Sequence, residues 1–309
     1  MHILIAGGSG LIGQELTSRL ILNDHKVSIL SREQKKIQAV AENVQVIPWD
    51  GTTIEPWANE ISNCDVVINL AGENLSGKGL FPLRWTKRRK EILLRSRVEA
   101  GKVLTLAIEK TKRKPLLFVQ ASGIGIYGME RERIFDEYSE LGHDYLANLS
   151  KQWEASSEPI EDLGIRRVVI RTGVVLSGKG GALRSLLFPY KYYFGGRIGD
   201  GRQYYSWIHI EDEVNAILFL IETENARGVF NLSSPNPVTN NEFGKTISTV
   251  MNRPHYLPIP GFFMRLAFGE VAYMVLEGQR VLPTRLLKEG FNFKYPDLPE
   301  ALMNIIDEK

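Results

Sequence analysis

A doubly wound α/β fold built on a parallel sheet is what this sequence predicts, and three observations predict it. Short β-rich apolar runs alternate with amphipathic helical stretches up to about Arg171. A glycine-rich turn, "AGGSGLIGQEL", follows the first of those runs and opens the first helical stretch. Each pair of parallel strands needs a crossover helix to bring the chain back, which strand–helix alternation of this length supplies.

In chain order, strands are expected at His2–Ala6, Lys26–Ser31, Val44–Pro48, Asp65–Leu70, Leu116–Ala121 and Arg166–Arg171. Helices are expected between them, over Leu11–Leu22, Gln34–Ala41, Trp85–Lys110 and Asp144–Leu163. After Arg171 the pattern changes to two glycine-rich loops, then "IHIEDEVNAILFLIE" as a turn into a helix and "GVFNL" as one more strand. From Pro235 onward, prolines, aromatics and helix-length segments suggest a small C-terminal lobe. The expected division is a first domain over 1–175, to which 205–232 returns, and a smaller substrate lobe from 176–204 and 233–309.

Composition excludes several classes of function. At 309 residues the chain can bury a substantial core. Its formal charge of +2 gives no strong global field, so neither nucleic acid nor an anionic membrane is an expected partner. The basic run "TKRRKEILLRSR" reads on charge alone as the solvated face of a helix. The single cysteine, Cys64, rules out an intramolecular disulfide and fits a reducing compartment. A strand-like run from residue 2 leaves no room for a secretory n-region, and no 18-residue apolar run is present, so a cytoplasmic location is expected. The five histidines are scattered without ligand spacing, and no metal is expected.

Gly7, Gly10 and Gly13 are spaced G-x-x-G-x-x-G between a strand and a helix. The first two let the turn fold tightly and the backbone approach a pyrophosphate, and Gly13 lets the helix pack on the strand. The helix N-terminus, with Leu11 and Ile12, offers free N–H groups and a positive dipole end to the phosphates. This is the Rossmann-type arrangement, and its position just after the first strand makes it more than a lone pattern.

Ser31 and Arg32 choose between the two nicotinamide dinucleotides. An acidic side chain at the end of the second strand would hold the ribose 2′-OH and repel a 2′-phosphate. Here Ser31 stands 18 residues beyond Gly13, with Arg32 beside it as a charged fork, and Lys35 and Lys36 nearby. NADP(H) is therefore the expected cofactor. Glu33 is the alternative, since a shift of two positions would make it the ribose ligand.

Several segments together resemble the extended short-chain dehydrogenase/reductase superfamily, in particular its atypical "epimerase family" of nucleotide-sugar-epimerase-like proteins with a C-terminal extension. The resemblance rests on "GGSGLIG", "ILSR", "INLAGEN", "RWTKRRKEILLRSRV", "RTGVVLSGKGGAL", "GGRIGDGRQYYSWIHIED" and "LEGQRVLPTRLLKEGFNFKYPDLPEAL", spanning residues 3 to 302. It implies that Ser31 and Arg32 select NADP and that Asp50 touches adenine. It further implies that Leu70, Ala71 and Gly72 lie along the cofactor, that Glu91 and Arg97 face it, and that Val175 lines the nicotinamide. A surface arginine at 97 and a plain turn residue at Asp50 are the alternatives.

Catalytic members of that superfamily use a Tyr with a Lys four residues later and a Ser or Thr after the fifth strand; the Lys lowers the phenol pKa for proton exchange. No tyrosine of this chain is followed at that spacing by lysine, and the corresponding positions are Leu146 and Ser150. Ser122 in "VQASGIGIYG", Tyr127 in the same segment and Tyr145 beside the vacant position are the remaining candidates, Ser122 and Tyr127 foremost. On the substrate side, Arg202, Gln203 and Trp207 suit an anionic or sugar-bearing ligand. His209 reads as a buried structural histidine and Asp212 as a helix N-cap. Two functions stay open: an NADP-dependent oxidoreductase or epimerase on a small polar, nucleotide-linked substrate, or an NADP(H)-binding regulatory or redox-sensing module with little turnover. A homodimer through the long helices Trp85–Lys110 and Asp144–Leu163 is expected by analogy.

Overall fold

A computed structural model describes residues 1–32, 44–77 and 79–307. The expected helix Gln34–Ala41, with Glu33, Lys35 and Lys36, lies outside the described residues.

The strands begin β1 (His2–Ala6), β2 (Lys26–Ser31), β3 (Val44–Pro48), β4 (Val66–Asn69) and β5 (Leu117–Gly123). They continue with β6 (Ile134–Phe135), β7 (Arg166–Thr172), β8 (Val174–Leu176), β9 (Tyr204–Tyr205), β10 (Trp207–His209) and β11 (Gly228–Leu232). The helices used below are α1 (Leu11–Leu22), α2 (Lys87–Lys110), α3 (Tyr145–Ala155), α4 (Pro159–Asp162), α5 (Ala182–Lys191), α6 (Ile210–Glu222), α7 (Asn240–Met251) and α8 (Gly261–Phe268). Seven strands form one sheet in the order β11-β7-β5-β4-β1-β2-β3, every pairing parallel.

Alternation along each strand sends side chains to opposite faces of the sheet. Ile3, Ile5, Val27, Ile29, Val119 and Ile170 pack with Leu16 and Leu20 of α1 and Val214 and Ile217 of α6. Leu4, Ala6, Leu30, Val67 and Phe118 pack the other way, on Ala100, Val103 and Leu104 of α2 and Ile160 of α4. Covered on both faces, these strands read as continuous apolar runs, and each fully buried Ile or Leu contributes roughly 1.5–3 kcal/mol. Such a sheet keeps its open groups at the carboxyl ends of its strands, where ligands of this fold class bind.

Two expectations change in detail. The helix expected over Asp144–Leu163 is two helices, because Ser156 and Ser157 end α3 and Pro159 starts α4 at a position where its missing N–H costs nothing. Asp212 does not cap α6; His209 does, its Nδ1 accepting from the Glu211 N–H at 3.1 Å. The Asp212 carboxylate instead takes the backbone N–H groups of Lys294 and Tyr295 at 2.7 and 2.8 Å, tying the C-terminal segment to the sheet domain. Beyond β7, a separate core forms around Leu183, Leu187, Trp207, Phe243 and Ile247, with the last helix, Leu298–Asp307, packed onto it.

Candidate functional site: a dinucleotide crevice beside a closed polar network

The glycine turn folds the chain against its neighbours. Gly7 has φ +84°, and a Cβ there would stand 2.7 Å from the Leu70 carbonyl carbon and 2.9 Å from the Ala71 nitrogen. The turn leaving β1 thus presses on the loop leaving β4, which only glycine permits. A Cβ on Gly13 would meet the Gly7 carbonyl oxygen at 2.6 Å, so α1 can approach the turn this closely only without one. Gly10 differs: its backbone is ordinary extended chain (φ −76°, ψ 173°), and a Cβ would meet only the Gly7 oxygen, at 3.3 Å. Gly10 caps α1 with no side-chain hydrogen bond. The first-turn N–H groups, those of Leu11 and Ile12 among them, are left for an anion.

Leu11 also reaches the far wall. Its Cδ2 lies 3.1 Å from a Cβ position on Gly181, and the Val175 carbonyl oxygen lies 3.6 Å from the same point. The turn after β1, the Leu70–Gly72 stretch and β8 therefore converge. These residues fit a dinucleotide: a cradle that added carbons would fill, and an uncapped helix end pointing into it.

At the β2 end, Ser31 is buried while the Arg32 side chain is 69% exposed, its Nη2 3.8 Å from Glu73 Oε2. Asp50 folds its own turn: Oδ1 accepts from the N–H groups of Thr52 and Thr53, both at 2.8 Å, and these bonds hold its pKa down to about 2. Gly72 abuts Arg97, whose Cζ is 3.3 Å from a Cβ position there. Arg97 is buried, stacks over Trp153 at 4.8 Å and donates to the Leu93 carbonyl at 3.0 Å; burial lowers its pKa to about 10. The surface reading of Arg97 is thereby overturned. Glu91 does not share its side. Six residues earlier, it is turned by about 120° around the helix, exposed in a groove with Trp85, Lys90, Tyr145 and Gln152.

The proton-transfer candidates are placed differently. Ser122 and Tyr127 are both buried, and both belong to one closed network. Ser122 Oγ donates to Glu154 Oε1 at 2.6 Å. Glu154 receives Arg171 Nε and Nη2, each at 2.9 Å, in a bidentate pair. Arg171 Nη1 donates at 3.0 Å to the Tyr127 hydroxyl, which donates at 2.7 Å to Asn231 Oδ1. Burial pushes the Tyr127 phenol up to about 12, against the pull of Arg171. Burial alone would lower the Arg171 pKa, but the hydrogen bonds and charge of Glu154 raise it. Each hydroxyl thus already spends its proton inside the protein, Ser122 on Glu154 and Tyr127 on Asn231. Leu146 and Ser150, the vacant Tyr and Lys positions, are buried on α3 just above. Tyr145 faces the outer groove, where its ring packs on Trp85 at 5.1 Å.

The substrate expectations also divide. Arg202 is exposed, its N–H bonded to Asp200 Oδ1 at 3.0 Å. Gln203 and Trp207 have no accessible surface, which corrects their expected ligand contacts. Gln203 Nε2 donates to the carbonyls of Ile198 and Val275 at 2.9 and 2.8 Å, and Trp207 Nε1 to Asn236 at 3.2 Å. β10 pairs with β8 beneath the loop, and this aims Trp207 into the C-terminal core. His2, Glu60 and Cys64 bring three donor atoms within 4.8 Å at the opposite end of the sheet. There the His2 ring is already bonded to Ser28 Oγ and the Asn63 carbonyl, and Cys64 to the Glu60 carbonyl, which suits packing better than an ion.

Sequence reasoning missed three acidic residues. Glu73 sits one residue past "NLAG", and its adjacency to that motif was a usable signal. Glu154 lies one turn beyond the vacant Lys position. Glu213, in the first turn of α6, is fully buried with Thr172 Oγ1 donating to Oε1 at 2.7 Å; burial pushes its pKa up to about 8.

The crevice, the seven-stranded parallel sheet and the C-terminal lobe define a dinucleotide-binding protein of the short-chain dehydrogenase/reductase type. Residues 3–150 match the NAD dependent epimerase/dehydratase family, and residues 259–305 match a domain of unknown function, DUF1731. The epimerase family protein YfhF of Bacillus subtilis (strain 168) is 40% identical over 310 residues, covering 100% of this chain and 99% of its own. The chain belongs to the epimerase family. Human epimerase family protein SDR39U1 (isoform 2), solved with NADPH, superposes with a TM-score of 0.89 at 34% identity, covering 100% of both chains. UDP-glucose 4-epimerase of Thermotoga maritima, solved with UDP-glucose, shares the fold at a TM-score of 0.81 and 18% identity, covering 99% of this chain and 98% of its own.

Proposed function

We propose that this protein binds NADP(H) in preference to NAD(H), and that it acts as an oxidoreductase or epimerase on a small polar ligand, a nucleotide sugar being the class its relatives suggest. The observation that carries the reading is the end of β2: Ser31 followed by an outward guanidinium on Arg32, where a carboxylate would otherwise hold the ribose. The NADPH in the human relative supports it. When bound, the nicotinamide supplies or accepts hydride. The chain's own part is to hold the pyrophosphate at the start of α1, to seat the 2′-phosphate on Arg32 and to keep Leu70–Gly72 and Val175 against the cofactor. Equilibrium titration with NADPH and NADH tests this, and tighter NADH binding would overturn it.

A second reading, a dinucleotide-holding module with little turnover, is favoured by the network that ties up Ser122 and Tyr127. Turnover of a reducible substrate with NADPH by the wild type separates the two, and Ser122→Ala then reads the serine's part in it. If turnover with a reducible substrate falls in step with loss of the hydroxyl, Ser122 acts in catalysis; if turnover persists, its role is structural. A homodimer through the outer faces of α2 and α3 belongs to the same proposal, and sedimentation at micromolar concentration reads it directly.

A further inference from the structure

We propose that Glu73 is a specificity-determining residue of the cofactor crevice, an internal counter-ion that holds Arg32 and that a ribose 2′-phosphate must displace. The inference rests on the NADP(H) reading above and says what restrains that preference.

Glu73 follows Gly72 directly, in the stretch that presses against the glycine turn. Its backbone N–H donates to Ser96 Oγ at 3.0 Å, which pins the loop to α2. From α2, Arg89 places Nη1 3.4 Å from Glu73 Oε1 and donates through Nη2 to the Asn74 carbonyl. From β2, Arg32 places Nη2 3.8 Å from the other carboxylate oxygen. One carboxylate therefore stands between two guanidinium groups, with Arg97 a third beside Gly72. Two positive charges in excess favour a phosphate dianion. The Glu73 carboxylate nevertheless competes for the Arg32 fork and repels a phosphate seated on it. Dinucleotide folds that select NAD(H) bring an acidic group to the ribose from the end of the second strand. Here an acidic group arrives from the loop after the fourth strand, already bound by the arginine that should take the phosphate. Arg32 is largely exposed, and solvent screening keeps the effect modest.

The test uses the full chain, titrated with NADPH and with NADH at low ionic strength, as wild type, Glu73→Gln, Arg32→Ala and the double variant. Glu73→Gln keeps the shape and one acceptor for Arg89 while removing the charge, and Glu73→Ala reads the same ratio should the amide disturb folding. The expected result is NADPH binding tightened about three- to ten-fold, NADH binding unchanged within about two-fold, and no gain in the Arg32→Ala background. Equal changes for both dinucleotides, no change, or weaker NADPH binding would each overturn the role of Glu73. A wild type that prefers NADH would instead overturn the NADP(H) reading, while the Glu73→Gln ratio would still decide the counter-ion question.

Discussion

The crevice beside the glycine turn and the network beneath the tips of β5 and β7 are both rich in polar groups, and they treat those groups in opposite ways. In the crevice, α1 begins on a glycine with no side-chain cap, and Arg32 reaches outward to a carboxylate at 3.8 Å. In the network, Ser122, Glu154, Arg171, Tyr127 and Asn231 are each matched to a neighbour at 3.0 Å or less. A buried polar group is tolerable only when partnered, whereas a binding site must leave its partners to the ligand. The difference teaches how one chain keeps polar groups paired inside its core while leaving others open to a ligand.

Three variants would break or sharpen this contrast. The largest effect is expected for Glu154→Ala, which strands the buried Arg171 charge and should cost about 3–5 kcal/mol in chemical denaturation. Its NADPH affinity, measured on the folded fraction, should stay near wild type; a selective loss of affinity would join the two regions. Next is pH. The Glu213 carboxyl is raised from an ordinary value of 4.5 to about 8 by burial, so the folded state favours its protonated form. The stability associated with it is complete below about pH 4.5 and is lost progressively as pH rises from there to about 8. Glu213→Gln should flatten that part of the stability–pH curve, and an unchanged slope would show that another group titrates. The smallest change in stability is expected for Gly10→Ala. Its backbone angles are ordinary, so stability should move by less than about 1 kcal/mol, while the new methyl enters the phosphate site and weakens NADPH binding about ten-fold. A large loss of stability with intact binding would place Gly10 outside the crevice.

Much of this was legible in the chain because it is local. The Gly7–Gly10–Gly13 spacing, the apolar runs of β1, β2 and β3 and the full length of α1 follow from periodicity and turn chemistry, which act over a few residues. So does the vacancy at Leu146 and Ser150, which is a matter of counting. The roles of Ser122 and Tyr127 were not legible. Each is named by sequence neighbours but defined by Glu154, Arg171 and Asn231, up to 104 residues away. Glu91 and Arg97 share a motif and a helix, yet a turn of that helix sends one outward and the other against Gly72.

The sequence by itself determined the fold class, the phosphate-binding turn and the missing Tyr/Lys pair, because backbone propensity and short-range spacing are written in consecutive residues. Only the tertiary structure decided which hydroxyls are spent on buried charges, that Trp207 and Gln203 face inward, and that Glu73 meets Arg32. Those outcomes depend on which distant strands and helices pack together, and burial then sets the cost of every unpaired polar atom.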